Sequence, residues 1–279
     1  MLVMGVVNVT PDSFSDGGRH ADTPGAVAHG RRLLADGADI LDIGGESTRP
    51  GATRPVVGQE LDRVVPVIEA LASDGALVSV DTMRSEVAAA AIEAGAGIVN
   101  DVSGGLADPR ILEVVAASRA SYVAMHWRAH ADRMAGLASY DGPGGVVAAV
   151  RSELAGRVTA IRAAGIPDDR VVLDPGLGFA KRPDHNWQLL QGLGEIASLG
   201  FPLLVGASRK SFLGALLRGP GGEPRPVDER EAAGLALTLL LAQQGVWGVR
   251  VHDVRASRDV LRVLDRMRPP DDRREMESR

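Results

Sequence analysis

The chain has 279 residues, a net charge of −5 and no cysteine. That length suits one large α/β barrel or two smaller domains, and such a chain buries roughly three-quarters of its unfolded surface. The acidic balance argues against nucleic acid, which calls for a basic face, and the lack of cysteine excludes disulfides and thiolate catalysis.

Strand Leu2–Val7 opens the chain and ends in Asn8, followed by helix Thr23–Ala35. Strand Ile40–Ile43 runs into Gly44-Gly45-Glu46-Ser47-Thr48-Arg49-Pro50, ahead of helix Val57–Ala72. Strand Ala76–Val80 ends in Asp81 and leads to helix Arg84–Ala94. Strand Gly97–Val99 ends in Asn100-Asp101 before helix Pro109–Ala117. Strand Tyr122–Met125 ends in His126 and precedes helix Gly145–Ala164; strand Val171–Leu173 ends in Asp174 and precedes helix His185–Ser198. Strand Pro202–Val205 runs into Gly206-Ala207-Ser208-Arg209-Lys210, with helices Ser208–Leu217 and Glu229–Gln244 after it. Strand Val246–Val251 carries Arg250 and is followed by His252, and helix Val254–Met267 closes the series.

This alternation predicts repeated βα units and a parallel sheet. No G-x-G-x-x-G follows the first strand, so a (β/α)8 TIM barrel is preferred over an open doubly wound sheet. Gly37, Gly75, Gly95, Gly165 and Gly200 sit where helices should end, and Asp108-Pro109 where one should begin. The domain is predicted to span residues 1–268, with 269–279 a disordered charged tail. The N-terminal apolar run of about seven residues is too short for a signal core or a spanning helix. Ala232–Ala242, the longest apolar stretch, is broken by Thr238. A soluble, cytoplasmic protein without a membrane partner is expected.

In a barrel, the polar residues after the strands meet at one mouth, where barrel enzymes place their sites. Each has a plainer reading alone: Asp81 and Asp174 as helix caps, Asn100-Asp101 as a turn pair, His126 as a satisfied core histidine, Arg49 and Lys210 as solvated cations. Together they resist it, because caps do not explain Lys210, Arg250 and His252 at the same mouth. Asp81, Asn100 and Asp174 form an acceptor-rich lining suited to an amino-heterocycle with ring N–H donors. Arg49, Lys210, Arg250 and His252, placed opposite, suit a phosphate-bearing partner. Asn8 and Asp16 have the oxygen chemistry for Mg²⁺ beside phosphate.

Eight segments in order resemble the dihydropteroate synthase family. They are Asn8-Val9-Thr10-Pro11-Asp12-Ser13-Phe14-Ser15-Asp16-Gly17-Gly18, Asp42-Ile43-Gly44-Gly45-Glu46-Ser47-Thr48-Arg49-Pro50-Gly51 and Ser79-Val80-Asp81-Thr82, then Val99-Asn100-Asp101-Val102-Ser103-Gly104-Gly105 and Met125-His126. Asp174-Pro175-Gly176-Leu177-Gly178-Phe179, Gly206-Ala207-Ser208-Arg209-Lys210-Ser211-Phe212 and Arg250-Val251-His252-Asp253-Val254 complete the set.

The resemblance implies that the chain joins 6-hydroxymethyl-7,8-dihydropterin pyrophosphate to p-aminobenzoate with Mg²⁺, by SN1-like loss of pyrophosphate. It implies that Asp81, Asn100, Asp174 and Lys210 hold the pterin, with Val102, Met125, Phe179 and Gly206 lining it. Asn8, Thr48, Arg49, Arg250 and His252 would hold pyrophosphate, and Asn8 also the metal. Phe14, Pro50 and Ser211, with Lys210, would shape the p-aminobenzoate pocket. Asp16, Lys210, Arg250 and His252 would act in catalysis, with Asp16 near the developing cation. A homodimer is implied too, in keeping with a helix at Glu229–Gln244 that is apolar on more than one face. Two rival expectations are a non-catalytic pterin-binding paralogue, which loss of a loop signature would favour, and a methyltetrahydrofolate-binding methyltransferase domain. The latter would not need the Ser-Arg-Lys segment or Arg250-x-His252.

Overall fold

A computed structural model describes residues 1–10, 23–46, 55–130 and 134–267. The expected tail, residues 269–279, lies outside the described residues. Eight parallel strands alternate with helices: β1 (Leu2–Asn8), β2 (Ile40–Gly44), β3 (Val78–Asp81), β4 (Ile98–Asp101), β5 (Ser121–Met125), β6 (Val171–Asp174), β7 (Leu204–Val205) and β8 (Gly248–Val251). The ladder runs β6-β5-β4-β3-β2-β1-β8-β7, and one parallel bridge, Leu173 to Leu203, joins its two ends. The result is a nearly closed (β/α)8 barrel. β7 is shorter than the expected strand because Pro202 has no N–H for the ladder; it serves only as an acceptor, from Leu173 N at 2.9 Å.

The helices are α1 (Thr23–Ala35), α2 (Val57–Ser73), α3 (Ser85–Glu93), α4 (Arg110–Ala116), α5 (Gly145–Ala163), α6 (Pro183–Gln191), α7 (Leu193–Ala197), α8 (Ser211–Leu216), α9 (Glu231–Gln243) and α10 (Val254–Met267). The single helix expected over His185–Ser198 is two, broken at Gly192. A Cβ there would meet Val147 of α5 at 2.8 Å, so the chain turns to pack closely. All five glycines expected at helix ends have positive φ. These exits also explain two late strand starts. Ala76 N bonds Leu71 O and Val246 N bonds Leu241 O, so both residues finish a helix instead of opening a strand. Asp108 departs from expectation differently: its Oδ2 accepts from Ser85 N at 2.9 Å and Ser85 Oγ at 2.6 Å, capping α3, while α4 starts at Arg110.

Side chains alternate along each strand, one facing the helices and the next the barrel interior. Met4, Ile40, Ile98, Val123, Val172 and Leu204 form one buried interior layer. Each such side chain stabilises the fold by roughly 1.5–3 kcal/mol through removal from water. Two residues further along their strands, the interior positions become Asp42, Asn100, Met125, Asp174 and Gly206. The ladder extends into this polar tier, pairing Gly44 with Asp81, Asp81 with Asn100, and Met125 with Asp174. The chemistry therefore stands on hydrogen-bonded strand ends, where backbone freedom is least.

Candidate active site

The floor of the mouth is an ion-pair lattice. Arg250 of β8 donates through Nε to Asp42 Oδ2 at 2.6 Å and through Nη2 to Asp81 Oδ2 at 2.8 Å. Asn100 Nδ2 donates to the same Asp42 oxygen at 3.1 Å. Because that amide is spent on Asp42, the carbonyl oxygen of Asn100 is left as its acceptor for a partner elsewhere. One cation thus serves two carboxylates. Burial, together with the nearby charges of Asp42, Glu60 and Glu46, outweighs Arg250 and pushes the Asp81 carboxyl up to about 7. The separation expected from sequence, acceptors on one side and cations opposite, is not what the fold builds: Arg250 is seated among the acceptors. Asp81 is no helix cap, since its partner is a guanidinium.

Asp174 ends β6 and is buried; its Oδ1 accepts from Gly176 N at 2.6 Å. Burial raises its proton affinity, while that backbone bond and the charge of Lys210 oppose the shift. Lys210 follows β7, with Nζ 4.2 Å from the ring centroid of Phe179, a cation–π distance. Burial lowers the Lys210 ammonium to about 8, against the attraction of Asp174. Beside these groups Met83, Val102 and Met125 form a separate buried apolar cluster, against which Phe179, Trp127 and Ala107 pack. The site therefore pairs acceptor groups with a flat apolar wall, the combination that a planar heterocycle with donor edges requires. Gly206 keeps this wall open towards β8, where an added Cβ would lie 3.7 Å from Arg250 Cβ.

Asn8, half-buried, is the last residue of β1. His252 follows β8, and its Nδ1 lies 3.0 Å from Ser208 Oγ, which also accepts from His252 N at 3.3 Å. Ser211 is exposed at the start of α8. Phe14, Asp16, Thr48, Arg49 and Pro50 lie outside the described residues.

His126 takes its plainer reading. It is 1% exposed, and its Nε2 donates to Glu153 at 2.9 Å. Lys181 Nζ donates to its Nδ1 at 2.9 Å, which sets the tautomer. Burial and Lys181 hold the imidazole down at about 4, so it is neutral. Asp101 is likewise structural: its carboxylate accepts from Ser103 N and Oγ, Gly105 N and the Tyr122 hydroxyl.

Three residues of the site were not singled out from sequence: Asp42, Met83 and Lys181. A carboxylate inside the run Ile40-Leu41-Asp42-Ile43, at an inward position, is the signal for the first. The signal for Lys181 is rarity, since only Lys181 and Lys210 among 31 basic residues are lysines.

Residues 4–252 match the family model described as pterin binding enzyme. The chain is 52% identical over 264 residues to the dihydropteroate synthase of Mycobacterium leprae, spanning 94% of this chain and 92% of that one. A Xanthomonas albilineans dihydropteroate synthase solved with 4-aminobenzoic acid is 46% identical, with a TM-score of 0.86 over 96% of this chain and 94% of that one. The same bacterium's enzyme solved with 7,8-dihydropteroate superposes with a TM-score of 0.82 at 43% identity, over 96% and 94% of the two chains. The chain belongs to the pterin binding enzyme family. Within it, its activity is that of a dihydropteroate synthase, an alkyl-transferring enzyme of folate synthesis.

Proposed function

We propose that the chain condenses 6-hydroxymethyl-7,8-dihydropterin pyrophosphate with p-aminobenzoate by departure of pyrophosphate ahead of attack. The bond from the pterin methylene carbon to the pyrophosphate oxygen breaks. The aniline nitrogen then bonds that carbon and loses a proton to solvent. The observation that carries this reading is the set of acceptors at Asp81, Asn100 and Asp174 beside the wall of Val102, Met125 and Phe179. Asp81, Asn100, Asp174 and Lys210 bind the pterin edge, and Gly206 leaves room for the ring. Asn8, Thr48, Arg49 and His252 take the pyrophosphate, with Arg250 reaching it through Nη1, the nitrogen that Asp42 and Asp81 do not occupy; its negative charge grows as it leaves, and fixed cations near that charge lower the barrier. Asp16 would act on the cationic methylene, and Phe14, Pro50 and Ser211 would shape the p-aminobenzoate pocket, as the family resemblance implies.

The amide oxygen of Asn8 is a hard donor, and among the described residues no group of three or more His, Cys, Asp or Glu could hold a metal. Asn8 would hold Mg²⁺ through that amide oxygen, the hard donor chemistry this ion prefers. When bound, the ion neutralises charge on the leaving group. Turnover of the two substrates with and without chelator tests the proposal: absence of dihydropteroate with Mg²⁺ supplied overturns it, and undiminished turnover in chelator overturns the metal.

We further infer a homodimer, supported by Leu240 standing 50% exposed on α9. Sedimentation giving only monomer at micromolar concentration would refute this. Among the described residues no helix is long and apolar enough to cross a membrane; a cytoplasmic location rests on the cysteine-free composition.

A further inference from the structure

Lys181 takes no part in the mechanism above, yet it is one of only two lysines in the chain and stands behind the pterin wall. Burial, against the attraction of Asp174, lowers its ammonium to about 7; protonated, it has three N–H groups, and each has an acceptor: Gly176 O at 2.8 Å, Phe179 O at 3.0 Å and His126 Nδ1 at 2.9 Å. The turn from β6 into α6 is thus wrapped around one buried cation. The turn needs holding. Gly176 has φ of +68°, and a Cβ there would strike His126 O at 2.3 Å. Ala180 has φ of +47°, a conformation that costs a residue with a Cβ of order 1–3 kcal/mol. The strained peptide is gripped from both sides, by Lys181 on Phe179 O and by the Tyr140 hydroxyl on Ala180 O at 3.1 Å. What the turn presents to the site is Phe179, the ring under Lys210. A guanidinium would not serve: its planar fork is too long and flat to point three donors at acceptors closing around a single nitrogen.

We propose that Lys181 is a positioning residue, whose ammonium holds the β6–α6 turn in its strained form so that Phe179 and Asp174 present a preformed pterin surface. The proposal rests on the pterin-binding reading above.

The test is a double-mutant cycle between Lys181→Met and Ala180→Gly, read by calorimetry with 7,8-dihydropteroate and by steady-state kinetics. Glycine adopts positive φ without strain, so it removes the need for the clamp. Lys181→Met is expected to weaken 7,8-dihydropteroate binding at least tenfold and raise KM for the pterin substrate, leaving KM for p-aminobenzoate within twofold. Lys181→Arg is expected not to restore binding. In the Ala180→Gly background the same Lys181→Met change is expected to cost less than threefold. Equal losses in the two backgrounds, or no loss in either, overturn the proposal. So does failure of Lys181→Met to fold with and without Ala180→Gly, since Lys181 is then a core residue only. Unmutated protein that binds no 7,8-dihydropteroate would instead overturn the pterin reading itself.

Discussion

Replacing Asp42 with asparagine removes one charge from the floor of the site while keeping its hydrogen bonds. Both bonds to Asp42 fall on the same oxygen, from Arg250 Nε and from Asn100 Nδ2, and an amide oxygen can accept both. Asp81 is then the one carboxylate still bonded to Arg250 among the described residues. Two carboxylates on one guanidinium stand on the order of 5 Å apart, and at an effective dielectric of about 20 their repulsion is about 3 kcal/mol. That corresponds to roughly two pH units. Solvent reaching the mouth reduces it, so a downward shift of about one to two units in the Asp81 titration is expected, from its place near 7. If ionised Asp81 is the form that accepts from the pterin, binding in the unaltered protein strengthens as pH rises through about 7. In Asp42→Asn the same rise falls at lower pH. Calorimetric titration with 7,8-dihydropteroate in steps from about pH 5 to about pH 8.5 measures both midpoints. A midpoint that stays put, or moves upward, refutes the reasoning that Asp42 tunes Asp81 through charge.

Asp174→Ala is expected to weaken pterin binding by about 2–4 kcal/mol, the worth of a lost charge-assisted pair, with the fold retained; unchanged affinity would reduce the carboxylate to a turn former. Asp16→Ala is expected to lower the single-turnover rate by about two orders of magnitude, or roughly 3 kcal/mol of barrier, with little change in pterin affinity. Collapse of affinity at normal saturated rate would make Asp16 a binding element. His126 is held near 4 against 6.5 in the unfolded chain, so the folded state binds fewer protons between those values. Its contribution is present above about pH 6.5 and is lost as pH falls towards about 4, reaching about 2 kcal/mol at about pH 5. Urea unfolding at about pH 7 and about pH 5 should therefore show His126→Gln losing less stability on acidification than the unaltered protein, and equal losses would exclude the neutral, buried imidazole.

The sequence made the strand ends legible because each apolar run stops at a polar residue, and in a parallel barrel those stops share a rim. The ladders confirm it where Asp81 pairs with Asn100 and Met125 with Asp174. Asp42 escaped because its partners, Asn100 and Arg250, lie 58 and 208 residues away; a carboxylate inside an apolar strand marks an inward polar position but does not say what it bonds. Lys181 escaped for the same reason, its histidine being 55 residues distant. The break at Gly192 was hidden too. Periodicity reads through Gly192 and Gly194 as one helix; what the sequence does not show is the approach of Val147 from α5, which leaves no room for a Cβ at Gly192. Helix exits misled at Ala76 and Val246, where apolar residues that read as strand are spent closing the preceding helix.

The joint between β6 and β7 has a consequence for how ligand and fold depend on each other. The barrel's weakest ladder, a single bridge and a two-residue strand, separates the strand ending in Asp174 from the one leading to Lys210. Local opening follows the sparsest hydrogen bonding, so amide exchange should be fastest along this joint. On the proposed reading, a pterin bound to Asp174 and Lys210 would span it from outside the ladder and be lost whenever it parts. Ligand binding free energy is then added to the cost of that opening. The substrate would then act as a clasp, and protection of the Leu173 amide, which bonds Pro202 O across the joint, becomes a local gauge of occupancy.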